Sequence, residues 1–260
     1  MIRDLIASGA WALLGPFLPL ERGRAGRPST ECRRVLEGIA RIAHAGAPWR
    51  DLPERFGKWN TGLAMDPRWR DAGGFQGLLE ALAASGAGDA RIQMIDSAVI
   101  QAHRHESRSQ KRGSHSNALG RSRGGFSTKI HVLTEAHGRP IAAHLTPGQA
   151  ANTSAAPTLL ADAEQRPQDV LADKGHDSAE MRAERYLQGS HPIIAWTSNR
   201  KQPLTLDRVR YAKRNRIERM KGPLKQIRRV ATRYDKTAAS VLSFIQNAAI
   251  YSTMRFVRTA

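Results

Sequence analysis

Cysteine is almost absent: Cys32 stands alone in 260 residues. An internal disulfide is therefore excluded, and no Cys/His spacing reads as a zinc site. No apolar run approaches the roughly 20 residues of a membrane-spanning helix. The first twenty residues, with Trp11, Pro16 and Pro19, lack a signal-peptide layout. These absences predict a reduced, cytoplasmic protein with no membrane partner. Acids are also scarce, 23 Asp+Glu against 41 Lys+Arg, for a formal charge of +18 and a pI near 11.1. That balance points to a polyanionic partner, and nucleic acid is the commonest.

The charge is uneven. Residues 1–90 carry 12 Lys+Arg against 10 Asp+Glu, whereas residues 91–260 carry 29 against 13. Within 200–236 there are 14 bases and 3 acids. Hydrophobic residues make up 40%, enough for an ordinary core.

Periodicity and turn residues divide the chain into a helical part, 1–85, a linker at 86–90, and an α/β part, 91–260. Residues 4–18 read as an amphipathic helix closed by Pro16 and Pro19. Ser29 or Thr30 is placed to cap a second helix running to about Ala45. A short helix from Pro53 and another over 75–84 complete a unit that suits helix-turn-helix-like DNA binding. A helical cap on the second domain is the other reading. Beyond the linker, strands are expected at 91–102, 126–134 and 141–146, forming an antiparallel meander. A helix around 153–165, a strand at 169–173, a helix at 178–188, a strand at 192–196, a long helix at 208–230 and a last one at 237–254 follow. That order is the order of a ribonuclease H-like mixed sheet with flanking helices.

Three acids sit where acids are costly. Asp96 interrupts the apolar strand around Ile95. Asp173 ends the run Val170-Leu171-Ala172, with Asp177 as a rival four residues on; one of the two is expected only to cap the helix at 178–188. Glu218 is a lone acid in a basic helical stripe: Tyr211, Arg214, Glu218 and Lys225 share a face of an unbroken helix. A buried carboxylate needs a partner, and a shared divalent metal is the strongest available. Three such acids could hold two divalent cations about 3.5–4 Å apart, and oxygen-only ligands favour Mg²⁺ or Mn²⁺. Around them, Tyr211, Arg214 and Lys225 on the stripe, together with Arg228, Arg229 and Arg233, read as DNA contacts, the last three along backbone phosphates. In the long basic loop from His103, Arg121 and Arg123 read as DNA contacts, with Lys129 beyond them. His103 and His105 have too little company for a metal pair.

The spacing Y-x2-R-x3-E-x6-K over Tyr211, Arg214, Glu218 and Lys225 resembles the C-terminal signature of DDE transposases of bacterial insertion sequences. Four further blocks resemble the insertion-sequence-five family: Ala47 to Gly57, Leu119 to Lys129, Leu171 to Gly175 and Ile227 to Thr237. The resemblance spans almost the whole chain. It implies a ribonuclease H-like core with Asp96, Asp173 and Glu218 as catalytic and metal-holding acids. It also implies cut-and-paste chemistry: hydrolysis at element ends, then attack of the freed 3′-hydroxyl on target DNA. The implied partners are double-stranded terminal inverted repeats and target DNA, bound by a dimer or larger assembly on the nucleoid.

The chain departs from the family pattern in three places. His176 stands where tyrosine is usual. Pro223, after Gly222, predicts a kink that shifts Lys225 relative to Glu218. Asp66-Pro67 predicts a broken helix and weakened DNA binding by the N-terminal part. Two alternatives therefore stay open: a catalytically impaired DNA-binding remnant, and a nuclease of the same fold that only hydrolyses.

Overall fold

The computed structural model of the chain describes residues 31–84, 89–103, 117–161, 163, 166–198, 200 and 204–257, together with residues 11, 12, 14, 15 and 18. Most of the first expected helix, the Ser29 and Thr30 caps, the centre of the linker and the segment 104–116, including His105, lie outside the described residues. Helix α1 (Cys32–Ala45) turns Val35, Leu36, Ile39, Ile42 and Ala43 inward, the spacing of one helical face. Its first cap residue is Glu31. Gly46 closes it with φ 66° and an N–H bonded to the Ile42 carbonyl, a conformation that favours glycine. A β-carbon there would also meet Arg228 Cβ at 2.9 Å, so glycine permits that close approach.

Two 3-10 turns, Trp49–Asp51 and Glu54–Phe56, lead to α2 (Trp59–Asp71) and α3 (Gly74–Ala84). The expected break at Asp66-Pro67 does not occur. Pro67 lies inside α2, and the buried neighbours Asp66 and Trp69 anchor the helix around the lost backbone bond.

The sheet is built on β1 (Ile92–Ala102). It pairs antiparallel with β3 (Gly125–Thr134), whose other edge takes β2 (Gly120–Ser122) and β4 (Pro140–Pro147). On the far side β1 pairs in parallel with β5 (Asp169–Ala172), and β5 with β6 (His191–Ile194). This succession, three antiparallel strands followed by parallel ones on the far edge of the first, is the ribonuclease H-like arrangement. The strand β2 falls within what the sequence reads as loop: Arg123-Gly124 and Gly125 at φ 106° turn it back onto β3. A two-residue strand, β7 (Thr232–Arg233), adds to the end of β1.

Helices cover both faces. On one, α4 (Ala156–Ala161) and α5 (Ala179–Leu187) bury Leu159 and Met181 against Ile95, Leu133 and Val170. The expected long helix at 208–230 is instead three: α6 (Arg208–Ala212), α7 (Asn215–Lys225) and α8 (Arg228–Ala231), parted at Lys213-Arg214 and Gln226-Ile227. On the other face, α7 and α9 (Ala238–Val257) bury Ile217, Met220, Leu224 and Ile245 against Met94, Ile100 and Ile130. Helix α9 has a second apolar side: Phe244, Ala249, Ile250 and Met254 complete the core of α1–α3. No helix among the described residues is long and apolar enough to cross a membrane.

Candidate active site

The β1–β5 ladder ends at the pair Ile95–Ala172. One residue further on each strand stand Asp96 and Asp173. Parallel register therefore brings two acids, remote in sequence, side by side where β5 ends and β1 runs on, and the carboxyl ends of strands are where open α/β sheets place their sites. Asp96 has the strand parity of Met94 and Ile100, so it faces the side covered by α7. Only 3% of it is exposed.

Helix α7 brings the third acid. Glu218 lies in its first turn, a favourable end of the helix dipole for a carboxylate. Arg214, in the turn just before α7, reaches both acids: its Nη1 is 3.3 Å from Asp96 Oδ2 and its Nη2 is 2.9 Å from Glu218 Oε1. The Tyr211 ring supports this guanidinium, 5.6 Å from ring centre to Cζ. Lys221 makes a second bridge, with Nζ against Asp96 Oδ2 and 3.2 Å from Glu218 Oε2. Sequence reasoning missed Lys221, yet its signal was present. It is three residues after Glu218 and seven after Arg214, on the same helical stripe.

Asp173 is held differently. Its Oδ1 accepts from Gly175 N at 3.0 Å and from His176 Nδ1 at 2.7 Å. The His176 bond, aided by Arg214 at longer range, holds the Asp173 carboxyl below the usual range against its partial burial. Burial works against ionising Glu218, but Lys221 and Arg214 outweigh it and hold that carboxyl down as well. Arg214 thus acts electrostatically on all three acids. Asp177, the rival, is committed elsewhere: it accepts from Arg182 at 2.9 Å, Arg200 at 2.6 Å and Thr197 N at 3.2 Å. It does not cap α5, for Ser178 does.

The donor set around Asp96, Asp173 and Glu218 consists of carboxylate oxygens, the chemistry that suits a hard divalent ion. With Arg214 and Lys221 between Asp96 and Glu218, no three of the described His, Cys, Asp and Glu side chains are close enough together to share one ion. The residues fit a divalent ion in kind, on condition that Lys221 yields its place.

The expected basic contacts divide. Tyr211 and Arg214 belong to the site. Lys225 is exposed and, with Lys221, lines a cleft beside Asp96, walled by Ile100, Ile130, Val132, Met220 and Leu224. Pro223 does not sever this arrangement, because α7 runs through it to Lys225. Arg121 and Arg123 are exposed at the β2–β3 turn, and Arg228 is exposed on α8. Lys129 is half-buried; its ammonium bonds the Ala150 carbonyl and, at 2.8 Å, Asn152 Oδ1, and burial pushes it down from the usual lysine range.

Arg229 and Arg233 correct the expectation of phosphate contacts, since both are buried. Arg229 donates to both Asp235 oxygens, at 2.9 and 3.0 Å, and to the Ala47 carbonyl. Arg233 donates to the carbonyls of Asn117, Ala118, Asp235 and Lys236 and to Thr128 Oγ1. These arginines cross-link segments and have no fork to offer DNA.

Residues 7–79 match a family described as "Putative transposase of IS4/5 family", and residues 87–253 match the family "Transposase DDE domain". A protein of Sinorhizobium fredii described as uncharacterized is 33% identical over 103 residues, 39% of this chain and 80% of its own length. A Brucella ovis protein described as "Putative transposase for insertion sequence element IS6501" is 30% identical over 122 residues, 46% of this chain and 92% of its own. Among solved structures, the piggyBac transposase synaptic complex with hairpin DNA aligns with TM-score 0.49 at 10% identity, over 98% of this chain and 73% of that one. The Mos1 strand transfer complex aligns with TM-score 0.29 at 13% identity, over 82% of each chain. With the transposase DDE domain matched over residues 87–253, more than half of the chain, the chain belongs to the DDE transposase family.

Proposed function

We infer that this chain performs the DNA cleavage and strand transfer of a cut-and-paste transposase, with Asp96, Asp173 and Glu218 as its catalytic acids. One observation carries the reading: adjacent parallel strands bring Asp96 and Asp173 together, and Arg214 and Lys221 tie Glu218 to Asp96. When bound, two divalent ions, Mg²⁺ or Mn²⁺, would supply charge at the attacking and departing oxygens of a phosphodiester. Asp96, Asp173 and Glu218 would hold them. Arg214 keeps Glu218 oriented toward Asp96. Lys221, once released from the acids, and Lys225 beside it are placed to receive the non-bridging oxygens of the scissile phosphate. Arg121, Arg123 and Arg228 present exposed guanidinium groups to the flanking backbone. Residues 1–85 are assigned to binding the element ends, and two ends require a dimer or larger assembly.

The test is incubation of the protein with double-stranded element ends, target DNA and Mg²⁺. Nicked ends and joined products are expected, both abolished by Asp96→Asn. Cleavage without joining favours a hydrolytic nuclease. Binding without cleavage, indifferent to Asp96→Asn, favours a non-catalytic remnant.

A further inference from the structure

A row of polar side chains crosses the buried sheet beside the site. Ser97 and His131 are cross-strand partners on β1 and β3, and Ser97 Oγ lies 2.9 Å from His131 Nδ1. His131 Nε2 lies 2.8 Å from Thr146 Oγ1 on β4. On the other side Ser97 Oγ is 3.5 Å from His176 Nε2, and His176 Nδ1 is 2.7 Å from Asp173 Oδ1. Both imidazoles are fully buried. The row therefore spans β4, β3, β1 and the end of β5, and it finishes on a carboxylate.

Its protons have a direction. A carboxylate only accepts, so His176 Nδ1–H donates to Asp173. One proton per imidazole then satisfies every atom. Thr146 O–H donates to His131 Nε2, His131 Nδ1–H to Ser97 Oγ, and Ser97 O–H to His176 Nε2. Burial pushes His131 down to about 3, so it carries a single ring proton at neutral pH. An apolar pair would fill the space at lower desolvation cost. The position of the row supplies a reason for it. The β1–β5 backbone ladder stops at Ile95–Ala172, so no strand hydrogen bond fixes Asp173 relative to Asp96. The His176–Ser97 contact spans that gap, joining the residue bonded to Asp173 with the residue that follows Asp96. His176 Nδ1 and Gly175 N both occupy Asp173 Oδ1, which leaves Oδ2 without a hydrogen-bond partner among the described residues.

We propose that Ser97, His131 and His176 are positioning residues that lock Asp173 in place beside Asp96, so that divalent-ion affinity depends on His131, which contacts none of the acids. The proposal rests on the reading of Asp96, Asp173 and Glu218 as metal-holding acids. Outer-shell partners of metal-binding carboxylates are worth tenfold to a hundredfold in affinity.

The test is Mn²⁺ titration of the full chain by calorimetry, without DNA, on Ser97→Ala, Ser97→Thr, His131→Phe and Asp173→Asn. Ser97→Ala and His131→Phe are expected to weaken Mn²⁺ binding about tenfold or more. Ser97→Thr, which keeps the hydroxyl, is expected to restore it. Nitrogen-15 shifts of His131 in the metal-free protein are expected to report one Nδ1–H tautomer, lost in Ser97→Ala. Mn²⁺ affinity within twofold of the parent in Ser97→Ala overturns the proposal, even where melting temperature falls. Should Asp173→Asn also bind Mn²⁺ like the parent, the acid reading itself fails. Asp173→Asn abolishing binding while Ser97→Ala preserves it defeats this inference alone. His131→Phe failing to fold leaves Ser97→Ala to decide.

Discussion

The Lys221 ammonium rests on Asp96 Oδ2 and stands 3.2 Å from Glu218 Oε2, so one side-chain cation bridges two acids that come from a strand and a helix. It occupies the place where a divalent ion needs oxygen ligands. Lys221→Met is therefore expected to raise Mn²⁺ affinity by about tenfold, ~1.4 kcal/mol, because the ion no longer competes with an ammonium. The same variant is expected to cut DNA more slowly, having lost a phosphate partner. Calorimetry and an end-cleavage assay check the two halves; weaker Mn²⁺ binding would show that Lys221 assembles the acids rather than competing for them.

Arg214 spans Asp96 and Glu218 with two different nitrogens. Lysine keeps the charge but cannot make that span. Arg214→Lys is expected to lower the cleavage rate about tenfold to a hundredfold while leaving the melting temperature within a few degrees. A rate equal to the parent's would mean that charge alone, without the fork, suffices.

Asp66 is buried in α2 and accepts from Ser243 Oγ at 2.6 Å. Burial pushes its carboxyl up, against the Ser243 bond and Arg70, which pull it down. A raised carboxyl makes the ionised form costly in the native state. The contribution of Asp66 to stability is thus greatest below the ordinary Asp value of about 3.9 and falls as pH rises through the native value. Asp66→Asn is expected to stabilise the protein by about 0.5–2 kcal/mol at pH 7. Thermal melts should show the gain shrinking toward zero as pH drops below about 4; a destabilised variant at pH 7 would mean that the charge is needed.

Arg228 and Arg233 are five residues apart and differ in kind, the first exposed and the second buried under five acceptors. Arg228→Ala is expected to weaken DNA binding and reduce the slope of log affinity against log salt by about one. Arg233→Met is expected to destabilise the fold by about 3 kcal/mol and leave that slope unchanged. Filter binding across a salt series and denaturant melts separate the two effects.

Local patterns exposed the strands and the three acids, because an acid in an apolar strand or a basic stripe is a departure from burial rules that needs no partner to be noticed. What escaped depended on the third dimension. The face drawn through Tyr211, Arg214, Glu218 and Lys225 assumed one helix, but turns at Lys213-Arg214 and Gln226-Ile227 divide it. The contacts of Tyr211, Arg214 and Glu218 survive because the first turn of α7 keeps the four-residue spacing from Arg214 to Glu218. Arg229 and Arg233 look like their exposed neighbour Arg228 in a string of letters. Only packing reveals that the Asp235 carboxylate and five carbonyls have already claimed them. His131 is named by strand register, which a single sequence does not print.

Helix α9 serves two cores at once, closing the sheet with Val241 and Ile245 and the helical end with Phe244 and Ile250. Synthesis on a ribosome proceeds from the other end. The sticky sides of α1–α3 are made first and wait for their lid while residues 85–237 are still being translated. A nascent chain interrupted in that interval exposes bare hydrocarbon to its neighbours and to proteases. The core of α1–α3 therefore closes only after Ala238–Val257 has been made.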